Sequence, residues 1–297
     1  MSVHLSAILA VGGILCVPLS VPGAHAQTTI PLDVMTFNIR TANGRDGANA
    51  WPYRKSLVAD TIQRFEPHVL GLQEVVDEQI QYFEEVLPGY RWVGIDRGLN
   101  GGKGLSEFTP IFYRYDVLTP IESGNFWLTS TPETPPALAE WRGRRRRMGR
   151  IVTWARFYHL PSGRDVFVYN THFTLRQGER QLLSANLVAS RIAEHPPDSV
   201  VVLLGDFNAP AERSETWRVV LGDTLRDAWV EADEQHGPAF TLSEFGPPTD
   251  WDLGRIDWVV VGGPVGVRSV ETVIHNDEGR YPSDHYPVAA RLEVYTK

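Results

Sequence analysis

Asp284 and His285 lie side by side in the segment 280–290, which contains two prolines and leads directly into an alternating, strand-like stretch. A carboxylate can bind a hard cation or take up a proton, and an imidazole can stabilise developing negative charge. Successive residues of a regular strand point to opposite faces, so a stiff bend is needed to turn both side chains towards one cleft. The pair therefore predicts part of an active site.

Other polar residues share a position at, or just beyond, the carboxyl end of an apolar, strand-like run. They are Asn38, Glu74, His172, Asp206 and Asn208. Open α/β sheets bind ligands on the loops that leave such strand ends. Taken singly, each has an ordinary explanation as a cap, a turn residue or a buried histidine. Asp257 could in the same way simply pair with Arg255.

Hydrophobic periodicity predicts an alternation of strands and helices that would position these residues. Helical periodicity indicates helices over 52–67, 77–90 and 179–194. The five apolar residues 200–204 predict a strand that is buried on both faces. Further strand-like runs are 32–39, 68–75, 90–95, 110–114, 123–128, 150–159, 164–173, 255–261 and 285–295, whereas 129–150 is typical of a loop.

The first 26 residues carry no Asp, Glu, Lys or Arg and end in Ala24-His25-Ala26, a small-residue pattern typical of signal-peptide cleavage. We therefore expect a signal peptide over 1–26, cleavage near Ala26, and one domain over 27–297 in the periplasm or outside a bacterial cell. No stable membrane span is predicted in the mature chain. The single cysteine, Cys16, lies within the predicted signal, which excludes disulfides and cysteine-bound metal from the mature chain.

The net charge of −8 argues against general binding of polyanions, because sequence-independent affinity for DNA comes from lysine and arginine. The exception is the run Arg144 to Arg147. It has two interpretations, a solvated loop or a surface that faces phosphate.

Seven segments in order resemble the endonuclease/exonuclease/phosphatase (DNase I-like) superfamily, and its exported bacterial members in particular. They are TFNIR, GLQEV, SEFTPIFYR, NTHF, LLGDFNA, RIDWVVV and YPSDHYPV. The resemblance covers nearly the entire mature chain. It implies an α/β fold, a four-layer sandwich in which two packed, mainly antiparallel sheets are flanked by helices. It also implies metal-dependent hydrolysis of a phosphoester.

Carried over by motif, the resemblance implies that Glu74 is the principal metal ligand, with help from Asn38 and Asp284. Such an oxygen-rich set suits Mg²⁺, with Mn²⁺ as an alternative, better than zinc.

The same resemblance implies roles for the remaining motif residues. Asp206 would orient and deprotonate water, and Asn208 would hold a phosphate oxygen. His285, backed by Asp257, would stabilise the transition state. His172, with Glu107 as its partner, would contact the phosphate or assist the leaving group. The predicted substrate-binding residues are Glu107, Arg150 and Asn170.

The sequence leaves three functions open. The first is an exported phosphodiesterase or phosphatase that acts on a small or lipid-linked phosphoester. The second is a secreted nuclease, favoured by Arg144 to Arg147 and by Arg150. The third is a non-catalytic module that binds a phosphate ligand. Arg40, two places after Asn38, disfavours the apurinic-site endonucleases, which usually carry an acidic residue there. No protein partner is predicted.

Overall fold

A computed structural model describes Met1 and residues 28–98, 106–135, 149–175, 178–248 and 253–296. The predicted signal peptide and the run Arg144 to Arg147 lie outside the described residues. Within these ranges, no helix is both long enough and apolar enough to cross a membrane.

Strands and helices alternate from β1 to α2, five strands then follow in succession, and most elements between residues 206 and 257 are short. The strands are β1 (Thr29–Asn38), β2 (Val69–Gln73), β3 (Tyr90–Val93), β4 (Ile111–Arg114), β5 (Leu118–Trp127), β6 (Ile151–His159), β7 (Arg164–His172), β8 (Val200–Asp206), β9 (Leu225–Asp227), β10 (Glu234–His236), β11 (Asp257–Gly262), β12 (Val265–Thr272) and β13 (Val288–Tyr295). The helices are α1 (Trp51–Phe65), α2 (Asp77–Val86), α3 (Glu179–Ala193), α4 (Glu215–Leu221) and α5 (Ala228–Glu231).

The described strands form two mixed sheets in which most neighbours are antiparallel. The first sheet has seven strands in the order β10-β12-β13-β1-β2-β4-β3, and the second has six in the order β5-β6-β7-β8-β11-β9. Near the centre of the first sheet β1 pairs with β2 in parallel, and near the centre of the second β7 pairs with β8 in parallel. The carboxyl ends of these four strands therefore provide two adjacent sets of exit loops.

Alternating side chains build three apolar layers, one between the sheets and one under each pair of helices. In β1, Val34 joins the layer between the sheets, while Met35 packs into the cluster that contains α1 and α2. In β8, Val202 faces the first sheet, and Leu203 packs into the cluster with α3. The order of layers is helices, sheet, sheet, helices. The fold class expected from the sequence is confirmed.

The main helices and strands lie where the sequence predicts them, with ends that shift by a few residues. β8 is buried at every position, as expected for a strand covered on both faces. The sequence analysis missed β12, which pairs with β13, and the short elements between β8 and β11. A register shift between Val267 and Ser269 interrupts the alternation in β12, and elements of three or four residues are too short to show a period.

His159, at the end of β6, makes the stability of the fold depend on pH. Its side chain is fully buried, with Nδ1 2.7 Å from the Ser162 hydroxyl and no hydrogen-bond partner for Nε2. Burial, and then the neighbouring His68, lower the pKa of His159 to about 4. Because the folded pKa lies below that of the unfolded chain, near 6.5, the folded state favours neutral histidine. This stabilisation is complete above about pH 6.5 and is lost as the pH falls towards 4.

We therefore expect wild-type protein to lose about 2 kcal/mol more unfolding free energy between pH 7 and pH 4.5 than His159→Gln does. Urea unfolding at the two pH values measures this difference. His236→Gln, which changes an exposed histidine, should keep the wild-type dependence. If His159→Gln and wild type show the same dependence on pH, His159 does not titrate in this way.

Candidate active site

The strand ends predicted to carry the site meet along one edge of the two sheets. Asn38 is the last residue of β1, and Glu74 follows β2 directly. In the second sheet, the register places Asp206 between two cross-strand neighbours, His172 at the end of β7 and Asp257 at the start of β11. Asp257 reaches the same edge because β11 runs antiparallel to β8.

The Asp206 carboxylate is the centre of this cluster. Its Oδ2 accepts a hydrogen bond from Asn38 Nδ2 at 3.0 Å and lies 3.3 Å from His172 Nε2 and 3.9 Å from His285 Nε2. Its Oδ1 accepts from the Asn208 backbone N–H at 2.9 Å. The amide of Asn208 donates to the Phe173 carbonyl at 3.1 Å, which orients that side chain at the rim. Asn208 has a positive φ of 50°, a strained value for a residue other than glycine.

His285 and Asp257 form a buried ion pair beside Asp206. His285 Nδ1 is 2.9 Å from Asp257 Oδ2. Burial alone lowers the pKa of His285, but the charges of Asp257 and Asp206 and the hydrogen bond to Asp257 outweigh it, so the net pKa is raised well above its ordinary value. Burial, together with the charge of Asp257, raises the pKa of Asp206. The imidazolium is thus a buried cation that partly offsets the charges of two buried carboxylates.

The bend before β13 turns Asp284 and His285 into the same cleft, as their adjacency predicts. The Ser283 hydroxyl donates to the Asn38 carbonyl at 2.6 Å and accepts from the His285 N–H at 3.3 Å. The Asp284 carbonyl accepts from the N–H groups of Ser243 and Glu244 at 2.7 and 3.0 Å. The segment is therefore tied on one side to β1 and on the other to the loop at 243–244.

Glu74 and Asp284 line the more open part of the cleft. Glu74 Oε2 accepts from the Thr41 N–H at 3.1 Å, and Oε1 lies 3.4 Å from Asn38 Nδ2. Glu74 has a positive φ of 61°, so a strained backbone aims its side chain. Burial, and then the charge of Glu74, raise the pKa of Asp284, although His285 opposes this shift. Two partly buried carboxylates that face one space repel each other, so this part of the cleft favours positive charge.

Two groups of residues could hold a divalent ion. Asp206, Asp257 and His285 have ligand atoms within 4.8 Å of one another. The protonated histidine already offsets one of their two negative charges, and Nδ1 of its ring is engaged by Asp257. Glu74 and Asp284 supply only oxygen ligands, and Arg40 Nη1 lies 3.9 and 3.6 Å from their carboxylates. The Asn38 amide now turns its nitrogen to Glu74 and its oxygen to the Arg40 N–H, so its oxygen would reach an ion only after the amide turns over. These residues fit Mg²⁺, and the donor chemistry favours this second group.

A small pocket beside the cluster is lined by two arginines, and three of its buried polar atoms have no hydrogen-bond partner. The pocket lies among Arg97, Glu107, Arg150 and His172, and the unpartnered atoms are Arg97 Nε, Arg150 Nη1 and His172 Nδ1. Burial, and then the charges of Arg150 and Arg97, hold the pKa of His172 well below its ordinary value. The charges of Glu107, Asp206 and Glu74 all act on Arg150, and the pocket as it stands is too tight for a water molecule.

The predicted pairing of His172 with Glu107 is wrong. Glu107 Oε2 instead lies 2.8 Å from Arg97 Nη2, and the carboxylate next to His172 is that of Asp206. The physical reason is that a guanidinium, which stays charged, is a stronger partner for a carboxylate than a buried histidine that loses its proton.

Asn170 lies between the two sheets rather than at the cleft. Its side chain is fully buried, donates to the carbonyls of Leu72 and Pro110 at 2.8 Å each, and accepts from Gln73 Nε2 at 2.7 Å. A Cβ atom at position 71 would lie 2.8 Å from the Asn170 amide oxygen, so glycine at that position leaves room for the Asn170 side chain. These contacts leave Asn170 no free donor for a substrate.

The alternative partner for Asp257 is also resolved. Arg255 pairs with Asp227 at 2.9 Å and with Glu212 at 2.9 Å, which leaves Asp257 to His285. Asp257 therefore belongs to the cluster.

Arg54, which was not predicted from the sequence as a site residue, organises the cleft from α1. This fully buried side chain donates to the carbonyls of Ile39, Arg40 and Pro282 at 2.5, 2.8 and 3.0 Å. It therefore joins the loop after β1 to the segment that carries Asp284. The signal was present, because Arg54 lies three, four and seven residues before the buried Leu57, Val58 and Thr61.

Comparisons with known proteins agree with this geometry. The sequence model of the "Endonuclease/Exonuclease/phosphatase family" matches residues 35–285. The solved structure of an endonuclease/exonuclease/phosphatase from Bacteroides vulgatus is 31% identical and has a TM-score of 0.80, with 89% of this chain and 99% of that chain covered. A mannosyl-6-phosphatase from Bacteroides thetaiotaomicron VPI-5482 is 28% identical and has a TM-score of 0.78, with 88% and 99% covered.

A curated relative is an uncharacterized protein of Acanthamoeba polyphaga mimivirus, which is 26% identical over 186 residues. The match covers 60% of this chain and 63% of the viral protein, so this chain spans less than two thirds of that relative's length.

Proposed function

Because the chain belongs to the Endonuclease/Exonuclease/phosphatase family, whose members hydrolyse phosphoesters, we propose that it is a Mg²⁺-dependent phosphoester hydrolase. The observation that carries the proposal is the position of Asp206, whose carboxylate lies within 4 Å of Asn38, His172 and His285. A base, two imidazoles and an amide that converge on one point can activate water and stabilise the charge that develops when a phosphoester is hydrolysed.

We assign the role of general base to Asp206. Its raised pKa makes the carboxylate a stronger base than an exposed aspartate. The hydrogen bonds from Asn38 and from the Asn208 N–H fix the plane of the carboxylate, which would then hold an attacking water in one orientation. The Asn208 amide, at the rim, would donate to a phosphate oxygen.

His285 would donate to the phosphate oxygen on which negative charge develops. Its pairing with Asp257 keeps the imidazole protonated and oriented before substrate arrives, so little reorganisation is required during the reaction. His172 is neutral and buried between Asp206 and the two arginines. It would contact the phosphate or the leaving group from the other side.

Glu74 would be the principal ligand of Mg²⁺, with Asn38 and Asp284 as the others. The bound ion supplies positive charge that neutralises the phosphate and polarises its oxygens. Asn38 links the two parts of the site, since its amide lies between Glu74 and the base Asp206.

The pocket formed by Arg97 and Arg150 supports a substrate with a strongly charged phosphate group. Burial, and then the charge of Arg97, lower the pKa of Arg150 only to about 10, so the guanidinium stays protonated at neutral pH. Its unpartnered Nη1 would bind a second phosphate oxygen only if the pocket, which is too tight for a water molecule, widens when substrate binds. The similar mannosyl-6-phosphatase suggests a sugar phosphate monoester as the first substrate to test. Export, with cleavage near Ala26, remains a prediction from the sequence.

A hydrolysis screen of the purified protein tests the proposal. We expect release of phosphate from mannose 6-phosphate or a related small phosphoester in the presence of Mg²⁺, and loss of that activity in excess chelator. Asp206→Asn, which keeps the shape of the side chain but removes the base, should reduce the rate by at least about 10²-fold. Asp223→Asn makes the same change outside the cleft, between α4 and β9, and should keep wild-type activity.

The same screen separates the alternatives. DNA or RNA oligonucleotides cleaved in preference to small phosphoesters would favour the secreted nuclease. A protein that hydrolyses none of the substrates, yet binds phosphate in a titration, would be the non-catalytic module. Full activity in chelator would contradict the role of the metal.

A further inference from the structure

Arg40 places a positive charge between the two carboxylates that we assign to the metal. Its Nη1 lies 3.9 Å from Glu74 Oε2 and 3.6 Å from Asp284 Oδ2. One nitrogen close to both carboxylates acts where a bound cation would act, and it offsets their mutual repulsion.

The position of the Arg40 side chain is built into the structure. Two parallel hydrogen bonds join its guanidinium to Asp46, at 3.1 and 3.0 Å. This bidentate geometry restricts the planar group far more than a single contact would. The hydrogen bond to Asp46, and the charges of Asp284 and Glu74, raise the pKa of Arg40 against the effect of burial, so the charge is permanent.

The backbone of Arg40 is held equally firmly. Its N–H donates to Asn38 Oδ1 at 3.0 Å, and its carbonyl accepts from Arg54 at 2.8 Å and from Gln79 at 3.0 Å. The residue adopts a positive φ of 57°, which is unfavourable for a side-chain-bearing residue. These contacts impose a strained conformation that brings the guanidinium to the cleft.

We propose that Arg40 is a resident counter-ion of the metal site, which holds Glu74 and Asp284 together without metal and weakens the binding of a divalent cation. The inference rests on the proposed function, because it takes these carboxylates as metal ligands. A fixed positive charge beside both ligands repels an incoming cation, so the site would hold its ion weakly and exchange it readily. The same charge disfavours a second ion next to Asp284.

Calorimetric titration of the full-length protein with Mn²⁺ tests the proposal without any measurement of activity. Arg40→Gln should bind Mn²⁺ at least about tenfold more tightly than wild type, because one repelling charge is removed. Glutamine meets the same backbone requirement as arginine at this φ. In chelator, thermal unfolding of Arg40→Gln should occur at a lower temperature than that of wild type, and Mn²⁺ should remove this difference.

Arg40→Gln also removes the hydrogen bonds to Asp46, and a second variant controls for that loss. Arg40→Gln combined with Asp46→Asn leaves no unpaired aspartate, and it should still bind Mn²⁺ more tightly than Asp46→Asn alone. Arg64→Gln is the matched control, since Arg64 is an exposed arginine of α1 that pairs with Asp60. It should bind Mn²⁺ as wild type does.

The outcomes separate this inference from the proposed function. Suppose that wild type binds Mn²⁺ through Glu74. If Arg40→Gln then binds it no more tightly than wild type, and the double variant no more tightly than Asp46→Asn, Arg40 is not a counter-ion. Weaker binding in both would instead make Arg40 a positioning residue for the ligands, which also overturns the proposal. If neither wild type nor any Arg40 variant binds Mn²⁺, the metal-dependent function itself fails.

Discussion

Glu74→Gln should lose most metal-dependent hydrolysis while it keeps the fold. The change removes the charge of the principal proposed ligand but preserves the size of a side chain that lies at a strand end, outside the apolar clusters. A metal ion contributes several kcal/mol to stabilisation of transition-state charge, so we expect a decrease in kcat/KM of at least about 10²-fold. Steady-state kinetics at a series of Mg²⁺ concentrations measures the effect.

Glu85→Gln is the matched control for this prediction. Glu85 is exposed on α2, and its change removes the same charge without touching the cleft. Wild-type turnover by Glu74→Gln would contradict its role. Calorimetry with Mn²⁺ also separates the two candidate metal positions. If Asp257→Asn abolishes binding and Glu74→Gln does not, the ion lies in the cluster of Asp206, Asp257 and His285.

His285→Ala should reduce kcat by about 10²–10³ at saturating Mg²⁺, with little recovery when the metal concentration is raised further. This is the usual cost of the loss of one donor that stabilises transition-state charge. The expectation follows from the buried pair with Asp257, which keeps the imidazole protonated beside the base Asp206. His236→Ala, which truncates an exposed histidine on β10, should leave kcat unchanged.

Asp257→Asn should reproduce much of the His285 defect, since it removes the charge that keeps the imidazole protonated. If the two residues act as one unit, the double variant should be only slightly slower than His285→Ala alone. The double-mutant cycle at saturating Mg²⁺ provides the measurement. Strictly additive losses would mean that Asp257 and His285 act independently, and the role given to the pair would then be incorrect.

The local pattern of residues was sufficient for most of the fold and for much of the candidate site. Period-two and helical patterns predicted the main strands and helices, because a buried face imposes its spacing on the chain. Strand ends carry the loops that leave a sheet, so the order of polar residues after apolar runs located Asn38, Glu74, His172 and Asp206. The prolines and the adjacent Asp284 and His285 predicted a bend that serves the cleft.

The partners of these residues depended on the tertiary structure. Asn38 and Asp206 are 168 residues apart, and only the packing of one sheet on the other brings their side chains together. The sequence offered Arg255 as a partner for Asp257 and Glu107 as a partner for His172. In the fold, Arg255 forms an ion pair with Asp227, and Glu107 forms one with Arg97.

The roles of the charged residues in the cleft could not be predicted from the sequence either. The role of an arginine depends on its burial and on neighbours that are distant in the chain. Arg54 hydrogen-bonds the backbone of two segments, and Arg40 lies between two carboxylates, whereas other arginines are solvated surface groups. Spacing along the sequence determines which face of an element a residue occupies. Strand register and the packing of layers determine which charges meet there, because Coulomb interactions depend on distance in space and on local exclusion of water.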